Sequence, residues 1–295
     1  TVLYQLFYLP LKSFLKFRLN REMLQCLIRF GFPLYLNQIL TFVYGRVSLI
    51  IIAALLNPVS VAYFGVAKKV PEAFARMFKS FIVVYFPNAS KLFSRGNTHA
   101  AQQMMNQSLV LFSIGLLFVA LISFLFQKEI VLLIFSEKYL ETSLAFSLLM
   151  LNFSLRAISN LMGYSLVSAG QASVPAKVNF VASLMNILGC LLLIPQFGFN
   201  GAVYSLIIMN VISQILYARY LAKNQIPVAV LQYLKPVFFY LILVGGYVML
   251  GIQSYLVNLV ISGAFLAFCW LKIEEFRMAA QFLLRNFLST KIHKI

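Results

Sequence analysis

Seven apolar stretches of about twenty residues or more, broken by short polar turns, leave this chain one environment in which to fold, a lipid bilayer. They run approximately over 32–56, 107–127, 142–169, 173–195, 200–222, 233–251 and 254–272. An eighth stretch is less obvious. Between Lys79 and Lys91 too few uncharged residues remain to span, so a second helix must absorb Lys68, Lys69, Glu72, Arg76 and Lys79 and run over about 61–90. The intervening breaks carry turn chemistry: Asn57-Pro58, SRGN at 94–97, AGQAS at 169–173, PQFGFN at 195–200 and LGIQS at 250–254. Long helical blocks exclude an outer-membrane barrel, whose strands alternate in polarity. The fold class expected is therefore an all-α polytopic membrane protein with about eight transmembrane helices.

Composition agrees. Hydrophobic residues make up 62% and charged residues 11% of the 295, against about 45–50% and about 25% in soluble domains. The net charge of +17 arises from 24 Lys and Arg against seven acids, all of them Glu. These cations lie between apolar blocks, as the positive-inside rule requires, and do not form a nucleic-acid-binding patch. With residues 1–30 in the cytoplasm, 16 cations fall on cytoplasmic segments, two (Lys128 and Lys138) on outer loops, and six within spans. Both ends are then cytoplasmic, as in a multi-pass protein of the bacterial inner membrane. Cys26, Cys190 and Cys269 are far apart, and His99 and His293 lie outside the apolar blocks. No metal site, disulfide framework, cofactor motif, nucleotide-binding loop or catalytic constellation is read here, so an enzyme is not expected.

The six cations within spans are Arg46, Lys68, Lys69, Arg76, Lys79 and Arg156. Facing lipid at mid-membrane each would cost about 2.5–3.5 kcal/mol, so they must face water, protein or one another. At about 100° per residue, Lys68, Lys69, Glu72, Arg76 and Lys79 fall within an arc of about 100°, with Val70, Phe74, Phe78 and Phe81 opposite. Either that face lines a hydrated cavity or its cations snorkel to the two interfaces. Arg46 sits about midway in its span, and Arg156 shares a face with Asn152, Ser159, Asn160 and Gly163. Asn179, Ser183, Asn186 and Cys190 form another polar stripe, and Asn210, Ser213, Gln214 and Tyr217 a third. Such stripes either glue helices together or, with Glu72, Asn152, Asn160, Asn179 and Asn186, add polar groups to the lumen. A cationic cavity favours an anionic guest, phosphate above all, and alternating access is the natural mode of transport.

Four stretches resemble the second half of a Wzx-type polysaccharide-biosynthesis flippase, in the MATE-like (MOP) exporter superfamily. They are GFPLYLNQILTFVYGRVSLII at 31–51, VAYFGVAKKVPEAF to VVYFPNASKLF across 61–93, IVLLIFSEKYLETSLAFSLL at 130–149, and SAGQASVPAKVNFVASLMNILGCLLLIPQFGFNGAVYSLI at 168–207. Ser136 stands where that family often has Gly. The resemblance implies four parts: 1–30, the end of a preceding helix and a basic amphipathic cytoplasmic linker; 31–222, a six-helix C-terminal lobe; 223–272, two accessory transmembrane helices; and 273–295, a basic cytoplasmic tail. It further implies an N-terminal lobe outside this sequence. The cargo would be an undecaprenyl-diphosphate-linked oligosaccharide, its diphosphate held by the six cations. Membrane lipids, and the polysaccharide polymerase and glycosyltransferases, are the accompanying partners. Two rivals are a multidrug exporter of the same fold, against which the absence of Asp argues, and a non-transporting scaffold for polysaccharide assembly.

Overall fold

The computed structural model of the chain describes residues 21–251, 254–273 and 277. The expected linker up to residue 20 and almost all of the basic tail lie outside the described residues. Within them the regular structure is helical throughout: α1 (Arg21–Leu55), α2 (Pro58–Ser94), α3 (Thr98–Leu125), α4 (Gln127–Ile134), a 3-10 turn (Glu137–Thr142), α5 (Ser143–Ser168), α6 (Ser173–Phe197), α7 (Phe199–Lys223), α8 (Val230–Leu250) and α9 (Tyr255–Lys272). Six of these segments are long and apolar enough to cross a membrane: Leu27–Leu55, Thr98–Leu125, Glu137–Ser168, Ser173–Phe197, Phe199–Lys223 and Tyr255–Lys272. The chain is thus an all-α, multi-pass membrane protein. The charged α2 and the shorter apolar stretch Tyr233–Met249 of α8 do not meet that measure.

Sequence chemistry explains where the helices begin and end. Asn57 caps α2 by accepting from Ser60 N at 2.8 Å, with Pro58 in the first turn, where its missing N–H costs nothing. The helix then runs 37 residues past Pro71 and Pro87 as one element. It ends in a left-handed turn at Gly96 (φ +73°), where Asn97 N bonds back to Leu92 O at 3.0 Å. Asn97 then caps α3 through Ala100 N. This cap starts α3 at Thr98, well before the apolar run expected from 107, because the intervening AAQQMMNQ is sound helix-forming sequence. The turn after α5 repeats the geometry at Gly170 (φ +83°), with Gln171 N on Leu166 O at 2.9 Å. Between α6 and α7 the expected six-residue break shrinks to Gly198 alone.

Helix α5 is the centre of the bundle. It packs against α2 and α3 on one side and α7 on the other, while α6 pairs with α1 and α7. The core forms three clusters. One, in the half holding the α2–α3 and α5–α6 turns, gathers Phe78, Tyr85, Met105, Phe153, Leu161 and Tyr217. The second, in the opposite half, gathers Ile52, Phe64, Phe146, Met150, Ile194 and Val203. The third joins α3 to α8 and α9 through Ile114, Leu117, Tyr240 and Phe265.

Several polar stripes serve these contacts. Asn210 Nδ2 donates to Asn152 Oδ1 at 2.7 Å, and Gln214 Nε2 to Leu155 O at 2.9 Å, across the α5–α7 seam. Ser205 Oγ donates to Asn186 Oδ1 at 3.0 Å, and Asn186 Nδ2 reaches Ser48 Oγ at 3.4 Å. Asn152, Asn186, Asn210 and Gln214 each find a partner on another helix, as hydrocarbon surroundings demand.

Candidate functional site: a cationic cleft between α1, α2 and α5

Because α1 leans on α6 and α2 on α5, α1 and α2 touch only sparsely. A cleft opens between them, floored by α5 and α7, and holds two adjoining cavities of about 550 and about 400 Å³. Thr41, Ala75, Phe153 and Arg156 line both. Arg156, half-buried on the central helix, therefore stands at their junction.

The smaller cavity takes Arg46, Lys68, Glu72 and Asn152. Lys68 is engaged on several sides. Its Nζ pairs with Glu72 one helical turn on at 3.3 Å, donates to Gly45 O of α1 at 3.3 Å, and lies 5.6 Å from the centre of the Phe64 ring. The Lys68 side chain is 19% exposed and that of Glu72 56%, so the lysine anchors the pair and the carboxylate faces outward. The guanidinium of Arg46 lies 5.9 Å from the Phe42 ring centre, with its side chain exposed.

The larger cavity takes Lys79, Asn160 and Asn179. It also takes two residues that the sequence reading passed over, Asn37 and Gln38 of α1. Asn179 Nδ2 donates to Asn37 Oδ1 at 2.6 Å. A signal existed: Asn37, Thr41, Gly45 and Ser48 fall within about 80° on α1 at helical spacing. Among the described residues no acid lines this cavity, and Glu72 is the one acid lining the other.

Three of the singled-out residues lie elsewhere. Lys69 and Arg76 are exposed on α2 and line neither cavity. Asn186 is wholly buried at the α1–α6–α7 contact described above. The apolar side of α2 turns inward: Phe78 is buried, and Phe74 and Phe81 pack on the core. Among the described residues no group of His, Cys, Asp or Glu is placed to hold a metal ion.

Comparison with known proteins follows the same outline. Residues 1–144 match the family described as polysaccharide biosynthesis protein. No curated protein matches the sequence. A solved structure of the lipid II flippase MurJ, in an inward closed conformation, superposes with a TM-score of 0.63 at 15% identity, over 86% of this chain and 56% of that one. The chain thus spans about 56% of that flippase's length. Residues 1–144 thus resemble a polysaccharide biosynthesis protein in sequence, and the chain shares its helical membrane fold with the MurJ structure.

Proposed function

We propose that the chain is the C-terminal part of a flippase that moves a lipid-diphosphate-linked oligosaccharide across the bacterial inner membrane by alternating access. One observation carries this reading: Arg46 and Lys68 in one cavity, Arg156 at the junction and Lys79 in the other set four cations along one cleft. Phosphate oxygens suit Arg and Lys through charge-assisted hydrogen bonds, and a low-dielectric cleft strengthens them. The near absence of acids disfavours an organic-cation cargo, since Glu72 already pairs with Lys68. Moving such a cargo needs no covalent chemistry, so the protein is a transporter and not an enzyme.

Helices α1–α7 form the transporting lobe, and α8 and α9 are accessory helices docked on α3. All eight long helices cross the membrane, with both ends in the cytoplasm. The exposed cations Lys69 and Arg76 would together cost about 5–7 kcal/mol against lipid. They face instead the water-filled space shared with an N-terminal lobe. The polymerase and glycosyltransferases of the same polysaccharide act beside it.

The test is a charge series at Arg46, whose exposed side chain leaves the fold little to lose. Surface polysaccharide is measured in cells that depend on the protein, with its membrane level quantified alongside. Arg46→Lys keeps the charge and loses the planar donor fork, so partial export is expected. Arg46→Ala should lower export about tenfold or more, and Arg46→Glu should abolish it. Normal export by Arg46→Glu at normal level would overturn the diphosphate assignment.

A further inference from the structure

The two cavities differ in what their polar groups have left to offer. In the smaller one Lys68 is engaged by Glu72 and Gly45 and Ser48 by Asn186, while Asn152 spends its carbonyl oxygen on Asn210 and, like Arg46, has only N–H donors left to offer. In the larger one Gln38, Asn160 and Lys79 make no hydrogen bond or ion pair to any described residue. Asn37 and Asn179 spend one bond on each other, which leaves the Asn37 amide N–H groups and the Asn179 carbonyl oxygen with capacity to spare. Tyr164, held edge-to-face by Phe86 at 5.9 Å, adds an aromatic face and a hydroxyl.

Neutral amides offer donor and acceptor side by side. That pattern matches a polyhydroxylated ring, each of whose hydroxyls both gives and takes a hydrogen bond. A bare phosphate needs donors only, and an alkyl chain needs neither. A cavity of about 550 Å³ lies in the size range of small-molecule sites.

We propose that the larger cavity is a saccharide subsite. The amides of Asn37, Gln38, Asn160 and Asn179 hydrogen-bond the hydroxyls of the sugar next to the diphosphate, and Arg156 at the junction holds the phosphate. The proposal rests on the lipid-diphosphate reading above and divides that site into a sugar part and a phosphate part. Discrimination between sugars then resides in the four amides, and the smaller cavity is indifferent to them.

The experiment uses the whole chain in lipid nanodiscs free of glycoside detergent. Three probes are titrated: a short-chain polyprenyl diphosphate, the same diphosphate carrying one N-acetylhexosamine, and an uncharged octyl-linked disaccharide. The variants are Gln38→Ala and Asn160→Ala, singly and together. Neither side chain bonds any described residue, so the fold is spared, and thermal unfolding checks this. The unaltered chain should hold the sugar-bearing diphosphate about tenfold more tightly than the bare one, and the double variant should erase that difference without weakening the bare diphosphate. Equal binding of both diphosphates by the unaltered chain, or equal weakening of both by the double variant, overturns the subsite. If neither diphosphate binds, the lipid-diphosphate reading falls. The disaccharide then decides the subsite: binding that the double variant abolishes supports it, and no binding overturns it.

Discussion

At the scale of single residues, the tightest constraint lies where the α6–α7 hairpin closes. A Cβ on Gly201 would collide with the Leu193 carbonyl, and a Cβ on Gly189 with the Ser205 hydroxyl. The first obstacle is backbone, which cannot swing aside as a side chain can. Gly201→Ala should therefore force α6 and α7 apart and destabilise the chain by about 1–3 kcal/mol, the range of overpacked cores. Gly115 of α3 has open space where its Cβ would go, so Gly115→Ala should leave stability unchanged or slightly raised. Thermal unfolding in detergent separates the two, and an equal midpoint for both variants would refute the close-approach argument. The same scale explains why the cleft was only partly legible in the sequence. Arg46, Lys79 and Arg156 stand out because a cation in an apolar run is expensive. Asn37 and Gln38 do not, because an amide in such a run is cheap enough to be mere helix glue, and only the spacing of α1 against α6 tells the two roles apart. Asn186, on a stripe whose pattern favours packing over a lumen, joins helices: its partner Ser48 comes from α1, far away in sequence, and Ser205 from the next helix, α7.

Among the elements, α2 holds most of the information. Its extent was readable, because a stretch too short to span after Lys79 forces the charged residues into the helix, and Asn57-Pro58 and SRGN mark its ends. Its rotation was readable only to within half a turn. The charged arc is about 100° wide, too wide for one cleft, and the structure divides it: Lys68 and Lys79 at its edge line the cavities, while Lys69 and Arg76 face outward beside exposed Met77. No single-helix pattern can make that division, since it depends on where α1 and α5 stand. Single cysteines at Lys69, Arg76 and Lys79 should react with a small hydrophilic thiol reagent, and cysteines at Phe74, Phe78 and Phe81 should be protected by the core they pack against. Reaction at Phe78 as fast as at Arg76 would mean that α2 is rotated from this arrangement. Lys68 is the side chain that straps α2 to α1, through Gly45. Lys68→Met should keep α2 helical, let the two helices part, and raise the reactivity of a cysteine placed at Gly45, whose carbonyl the lysine holds and which is half-buried.

For the whole molecule, the proposed orientation ties three local turns to one global charge bias. The α2–α3, α5–α6 and α7–α8 connections lie at one end of the bundle, and each reverses the chain through a left-handed residue: Gly96, Gly170 and Gln225 (φ +60°). The described cations among those counted to the cytoplasm cluster at that end. Arg219 and Lys223 lie in the last turns of α7 and Lys177 in the first turns of α6. At about 1.5 Å per residue α7 is roughly 37 Å long, longer than the roughly 30 Å hydrocarbon core, so its last turns reach water without disturbing the span. The opposite end carries Lys128 and Lys138 beside Glu129, Glu137 and Glu141 and offers no such excess. Labelling tests this most directly when the reporter positions disturb no cap and no left-handed turn, which rules out Asn97 and Gln225. His99 and Ala222 at the basic end and Gln196 at the other are exposed and make no side-chain hydrogen bond to any described residue. In a background with Cys26, Cys190 and Cys269 replaced by alanine, His99→Cys and Ala222→Cys should resist an impermeant thiol reagent added outside intact cells and react once the membrane is opened. Gln196→Cys should react from outside at once. The reverse pattern would place the basic end outside, and with it the mouth of the larger cavity, so that cargo made in the cytoplasm would first meet Arg46 and Lys68 and not the amides around Asn160.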